Sequence, residues 1–285
     1  MTSTPTSPST NVPPVSPASP AIPVLPTPLA QTYVFLNPCL LLGLLALRFQ
    51  SLTTDPVAEL LNDLPLLALL QLIFVMICLP PAGSVLSSKP ETVDVDDKKD
   101  KAPASPSGGS AGSVVLKPGK VGYRRRSAKN DSSSGSFVAK LIPALLSLIL
   151  TFLLATPVFA ALLVLFGAPI TTHHLQTLLC AAHMALLTST GLIYVHGVDG
   201  SVWKEVWGAA RPLDVVWGGA LGTGLGAWLG AVPIPLDWDR PWQAYPITIL
   251  VGAYIGYALG VGLGRTVLFG KRIDFEEEGD TKKVD

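Results

Sequence analysis

Residues 218–264 read GGALGTGLGAWLGAVPIPLDWDRPWQAYPITILVGAYIGYALGVGLG, and their spacing decides how the chain is read. Glycines recur at Gly218, Gly222, Gly226 and Gly230, and again at Gly252, Gly256, Gly260 and Gly264. With about 3.6 residues per helical turn, a glycine at every fourth position marks one face of a helix. Between the two runs lie Asp237, Trp238, Asp239, Arg240 and Trp242, which include every charge in the stretch. Each glycine costs an isolated helix roughly 1 kcal/mol against alanine. Such a face therefore needs a compensating contact, and in lipid that contact is close backbone-to-backbone packing. Two readings follow: the faces meet as an antiparallel hairpin within the chain, or one of them receives a helix of another protein.

The rest of the chain is equally apolar. Of 285 residues, 49% are hydrophobic and only 14% charged, with a mean hydropathy of +0.47. That leaves too little polar surface for a soluble domain. A hydrocarbon core about 30 Å thick needs roughly 20 apolar residues per helix. Six candidates meet this, near 32–52, 62–82, 141–168, 174–195, 215–235 and 244–264. The expected fold is all-α: a polytopic membrane protein of about six transmembrane helices, with a glycine-zipper hairpin at its C-terminal end. The third candidate is longer than needed and contains Pro143 and Pro157, so a tilt or kink is expected there. Cys39, Cys78 and Cys180 fall in apolar runs at unrelated spacings and read as packing residues.

The expected organisation has five parts. Residues 1–30 form a Pro/Ser/Thr-rich tail without a charge, and 31–82 hold two transmembrane helices. Residues 83–136 form a Ser/Pro/Gly/Lys-rich linker with a basic cluster at Arg124–Arg126. Residues 137–265 hold four more helices and the DWDRPWQ loop, and 266–285 form a tail ending KKVD. The tail and linker have the composition of solvated, disordered chain. If the helices alternate, the side that holds both termini carries 18 Lys and Arg, and the other only Arg48 and Arg240. Without the linker the comparison is still 7 against 2. The bias predicts that both termini are cytoplasmic and that the DWDRPWQ loop faces the opposite side. Lys282 and Lys283, three and four residues from the carboxyl end, resemble a dilysine retrieval signal and point to the endoplasmic reticulum membrane, with the loop lumenal.

The loop itself carries little catalytic signal. Asp237, Asp239 and Arg240, with His173 and His174 on the neighbouring turn, are the only candidates for acid–base or metal chemistry. Adjacent histidines project in different directions, and no pair has the i, i+4 spacing of a helix-borne metal site. No metal, cofactor or catalytic residue is expected. Pro233, Pro235 and Pro241 stiffen the turn, Trp238, Trp242 and Tyr245 suit the membrane interface, and Arg240 is able to pair with a neighbouring carboxylate or a lipid phosphate. His183 is the one ionisable residue well inside a candidate helix, and hydrogen bonding within the bundle is its expected role. Intramembrane charge of the kind that marks an ion path is lacking.

The segment GAWLGAVPIPLDWDRPWQAYPI (226–247), followed by GAYIGYALG, closely resembles the hallmark region of the PIG-F family of glycosylphosphatidylinositol (GPI) anchor biosynthesis proteins. The upstream HHLQTLLCAAHMALLTSTGLIYVHGVDGSVWKEVW also looks like fungal members of that family. The resemblance covers about 141–272 well and the first two helices only in general pattern. It implies an endoplasmic reticulum membrane protein that stabilises ethanolamine-phosphate transferases, which add phosphoethanolamine to mannoses of the GPI lipid. PIG-O-like and PIG-G-like catalytic subunits are the implied partners, and the family carries no assigned catalytic residue. Expected contacts with a partner or a lipid headgroup are Asp237, Trp238, Asp239, Arg240 and Trp242. The eight glycines are expected to serve helix packing or a partner helix. The alternatives are a lipid-handling protein that presents or flips the GPI precursor or the phosphoethanolamine donor, and an enzyme built on Asp237, Asp239 and a histidine.

Overall fold

A computed structural model describes residues 20–84, 133–236 and 238–272. Most of the expected tail and linker, Arg124–Arg126, Asp237, Lys282 and Lys283 lie outside the described residues. The described chain is helical without strands, and six of its helical segments are long and apolar enough to cross a membrane.

The first two helices begin earlier than hydropathy suggests. Helix α1 spans Pro28–Thr54, where Thr27 caps the first turn by accepting the Ala30 N–H at 3.3 Å and Pro28 occupies the first helical position. Helix α2 spans Pro56–Cys78, six residues ahead of the expected start, and is capped by Asp55. Glu59 and Asp63 hide this start in the sequence. Both acids face Arg48 across the α1–α2 turn, at 2.6 and 3.2 Å, so charges that look like an end to the apolar run are paired inside it.

The third crossing, Phe137–Leu165, is broken as Pro157 requires. Helix α3 (Ser133–Leu150) passes through a π turn at Thr151–Ala155 into α4 (Thr156–Leu165). Proline at 157 has no N–H to donate to the preceding turn. The chain widens there, and the Thr156 N–H reaches back five residues to the Thr151 carbonyl.

Helix α5 (His174–His196) is the axis of the bundle. Of its most apolar window 89% is buried, against 17% for the third crossing, and it packs on α2, α3, α4 and the last two crossings. After it, in the connection between the candidate spans 174–195 and 215–235, lies a short helix, α6 (Gly200–Trp207). Asp199 is its signal: its carboxylate caps the turn by accepting the Ser201 N–H at 2.9 Å. The last two crossings begin with α7 (Val215–Ala231) and end with α8 (Ile247–Arg265).

Two sets of polar groups inside the bundle are paired across helices. The Leu60 carbonyl lies 3.0 Å from His183 Nε2, which must therefore carry the proton, and Nδ1 accepts from the Tyr254 hydroxyl at 2.9 Å. His183 is thus hydrogen-bonded within the bundle, as the sequence reading expects. Asn37 donates to the Tyr257 hydroxyl at 3.5 Å, and that hydroxyl donates to Gln71 Oε1 at 3.4 Å. These bonds join α1, α2, α5 and α8 through side chains that lipid cannot satisfy.

The termini end is tied in the same way. The Asp214 carboxylate caps α7 by accepting the Val216 and Trp217 N–H groups, and its other oxygen accepts the Ile22 N–H at 3.1 Å. Burial pushes the Asp214 carboxyl up from its usual range, and these three donors and the nearby Arg211 oppose that shift. Buried Arg211 lies 3.4 Å from both Glu205 and the Pro20 carbonyl. Two backbone bonds of 2.7 Å join Leu213 to Lys271 and Gly270.

Candidate functional site

The eight glycines meet across α7 and α8. A side chain built on Gly222 would run into the Gly256 carbonyl, and one on Gly256 into that of Gly222. Gly226 and Gly252 are related in the same way, as are Gly218 and Gly260. At the ends of the seam Gly230 faces the Thr248 carbonyl and Gly264 that of Asp214. In each case a glycine hydrogen points at a carbonyl oxygen of the other helix, the geometry of a weak Cα–H···O contact. The outer side of the seam is a groove of about 720 Å³, walled by Leu225, Leu229, Ile255 and Leu259 and closed at its loop end by Trp242.

Packing this close leaves the connecting loop little slack. It crosses between the helices as two short 3-10 turns, Ile234–Leu236 and Pro241–Gln243, the second started by Pro241. Buried Gln243 staples them together: its Oε1 accepts the Trp238 N–H at 2.8 Å, and its Nε2 donates to the Pro233 carbonyl. Asp239 takes a left-handed backbone, φ 53°, which aspartate tolerates better than most residues.

A second fastening ties the loop to the start of α5. Thr177 Oγ1 lies 3.0 Å from the His173 carbonyl and 2.9 Å from the Tyr245 hydroxyl. The threonine therefore donates to the carbonyl and accepts from the tyrosine. Burial pushes the Tyr245 hydroxyl up to about 12. The His173 ring stands edge-on to Tyr245 with centroids 6.2 Å apart, and His173 Nδ1 lies 2.8 Å from Thr172 Oγ1.

What the fastened loop presents outward is Trp238, Asp239, Arg240 and part of Trp242. The two indoles meet edge to face, 5.9 Å apart at 60°. Trp238 remains 54% exposed, so this aromatic pair is a surface feature. Arg240 forms no ion pair among the described residues, Asp239 included. No three His, Cys, Asp or Glu side chains among the described residues group as metal ligands. Chemically the loop offers a rigid aromatic surface with one exposed guanidinium, a donor for carboxylate or phosphate.

The sequence points to the exposed residues of this loop and reads Tyr245 as an interface aromatic, but that reading misses the fastening that Gln243, Thr177 and Tyr245 provide. Gln243, Thr177 and Tyr245 act through contacts 5, 10 and 68 residues apart in the chain. A glutamine between prolines and tryptophans in an apolar chain was the available signal, since a buried amide must find partners.

The family model described as "GPI biosynthesis protein family Pig-F" matches residues 36–265. The chain is 60% identical over 257 residues to glycosylphosphatidylinositol anchor biosynthesis protein 11 of Aspergillus fumigatus, covering 90% of this chain and 86% of that one. Its identity to the protein of the same name from Neurospora crassa is 44% over 246 residues, 86% of this chain and 78% of the other. A human protein named "GPI ethanolamine phosphate transferase, stabilizing subunit" is 34% identical over 137 residues, 46% of this chain and 62% of its own length. No solved structure matches the chain.

Proposed function

The chain belongs to the GPI biosynthesis protein family Pig-F, and from that membership we propose that it is a non-catalytic subunit of GPI-anchor assembly. It stabilises the ethanolamine phosphate transferases that add phosphoethanolamine to mannoses of the GPI precursor. The observation that carries this reading is the human relative, which bears the name of a stabilizing subunit of such a transferase. The catalytic partners are multi-span chains of the PIG-O-like and PIG-G-like kind.

Two surfaces suit that role. The exposed residues Trp238–Trp242, with Asp237 beside them, dock the partner's catalytic domain, and Arg240 reaches a carboxylate of that domain or a phosphate of the GPI headgroup. The groove over the glycine seam receives a partner helix in the membrane, where close packing takes the place of a hydrophobic driving force. The protein works in the endoplasmic reticulum membrane with both termini cytoplasmic. The lysine and arginine asymmetry supports the orientation, and the resemblance of 226–247 to the family supports the compartment.

The test is a pull-down of the full chain from membranes in mild detergent. A multi-span partner with a phosphotransferase domain, recovered in fixed ratio, is the expected result. A stable protein that purifies alone would overturn the subunit reading and turn attention to lipid movement.

A further inference from the structure

Asn37, Gln71 and Tyr257 meet inside the bundle from three helices. Asn37 lies nine residues after Pro28, the start of α1. Gln71 lies seven before Cys78, the end of α2, and Tyr257 eight before Arg265, the end of α8. At about 1.5 Å per residue, all three sit roughly 10–14 Å from the helix ends on the termini side, deep in a hydrocarbon core of about 30 Å. They are 0%, 1% and 3% exposed, so neither lipid nor bulk water touches them.

Each of the two amides is only half satisfied. Asn37 Nδ2 donates to the Tyr257 hydroxyl at 3.5 Å, and that hydroxyl donates to Gln71 Oε1 at 3.4 Å. Asn37 Oδ1 and Gln71 Nε2 have no hydrogen-bond partner among the described residues. Buried amide atoms seldom go unpaired, because nothing then replaces the bonds they made to water in the unfolded chain. We propose that one water molecule is bound at this junction, donating to Asn37 Oδ1 and accepting from Gln71 Nε2.

The chemistry of the leftover atoms selects water. The Tyr257 hydroxyl gives one proton and takes one, so it uses the N–H end of one amide and the C=O end of the other. Were both amides turned over, Gln71 Oε1 and Asn37 Nδ2 would be left instead. Either way one N–H donor and one C=O acceptor remain. The N–H group repels a cation and the carbonyl repels an anion, whereas a water donates and accepts at once. Two polar partners meet the need of a buried water. The bonds around Tyr257 are longer than the usual 2.7–3.0 Å or so, which keeps the amides apart instead of closed on one another. The water completes a joint that fastens α8, one half of the glycine hairpin, to α1 and α2.

Tyr254 supplies the contrast on the same helix. It is 4% exposed, and its hydroxyl donates to His183, whose other ring nitrogen is taken by the Leu60 carbonyl. Neither Tyr254 nor His183 has an unpaired buried side-chain atom, so nothing there calls for a water.

The experiment exposes the full chain, reconstituted in lipid nanodiscs, to millisecond X-ray pulses. These split bound as well as bulk water into hydroxyl radicals, which oxidise the side chains beside them. Mass spectrometry of the α8 peptide then compares oxygen added to Tyr257 with that added to Tyr254. Expected is severalfold more on Tyr257, and no loss of it when a radical scavenger confined to the bulk solution is present. Equal oxidation of the two tyrosines overturns the proposal. So does oxidation of Tyr257 that the scavenger abolishes, since its radicals then come from outside. The double variant Asn37→Leu, Gln71→Leu keeps Tyr257 and removes both amides, and oxidation of Tyr257 is expected to fall to the level of Tyr254. Oxidation that persists in the folded variant overturns the bound water. The comparison within the unaltered protein decides even where the variant fails to fold.

Discussion

Gly226 and Gly252 face one another across the α7–α8 seam so closely that neither has room for a methyl group: each would meet the other's backbone carbonyl. Backbone cannot move aside as a side chain does, so Gly226→Ala or Gly252→Ala has to push the helices apart. Overpacking of this kind costs about 1–3 kcal/mol. A clear fall in the thermal midpoint of the purified protein is expected for either substitution. Gly224→Ala and Gly262→Ala, where a methyl meets nothing, provide the comparison. These two gain up to roughly 1 kcal/mol in helix propensity and hold or raise the midpoint. Equal midpoints for all four variants would show that the seam does not depend on this approach.

His183 and Tyr254 form a membrane-embedded hydrogen bond suited to a double-mutant cycle. His183→Phe removes the donor to Leu60 and the acceptor for Tyr254, while Tyr254→Phe removes one hydroxyl. His183→Phe is expected to cost more than Tyr254→Phe, because it removes two hydrogen bonds where Tyr254→Phe removes one. Side-chain bonds between membrane helices average about 0.6 kcal/mol, so the coupling between the two sites is expected near that size. Unfolding in mixed micelles measures all four corners of the cycle.

Much of the fold was legible because membrane insertion leaves a direct mark on sequence. Six apolar runs of the right length announced six crossings, and glycine at every fourth residue announced two smooth helix faces. The start of α2 was not legible. Glu59 and Asp63 look like interruptions until Arg48 is seen across the turn, and no hydropathy window contains that relationship. Pro157 signalled a break but not its form, since a kink and a π turn both answer a missing N–H. At the loop, charge and aromatic content drew attention to Trp238, Arg240 and Trp242. Of the residues that hold the loop, Gln243 and Thr177 are ordinary until their partners are known, and Tyr245 reads only as an interface aromatic until its bond to Thr177 is seen.

Arg48 gives a prediction with a built-in rescue. Arg48→Met leaves Glu59 and Asp63 without their cation, and Asp63 is 8% exposed at the membrane edge. Arg48 itself is more than a third exposed, so the loss falls below the roughly 3–5 kcal/mol of a fully buried pair. Replacing the acids as well, with Glu59→Gln and Asp63→Asn, removes the unpaired charge. Much of the lost thermal stability should then return. A triple variant no more stable than Arg48→Met would show that Arg48 contributes by packing instead of charge.

Arg240 and Gln243 separate what the loop presents from what holds it. Arg240 is exposed and makes no ion pair among the described residues, so Arg240→Ala is expected to change stability by less than about 0.5 kcal/mol. Its effect belongs to recognition: less transferase partner recovered in a pull-down, with hydrogen exchange of 233–243 unchanged. Gln243→Leu keeps similar bulk but leaves the Trp238 N–H and the Pro233 carbonyl unpaired, at about 1–3 kcal/mol for each group that stays buried. Here the expected order is reversed: hydrogen exchange of 233–243 rises first, and partner recovery falls because Trp238 and Trp242 are no longer held edge to face. If Gln243→Leu loosens the loop while partner recovery stays complete, the loop is a structural cap and docking lies elsewhere, with the groove over the glycine seam as the next surface to test.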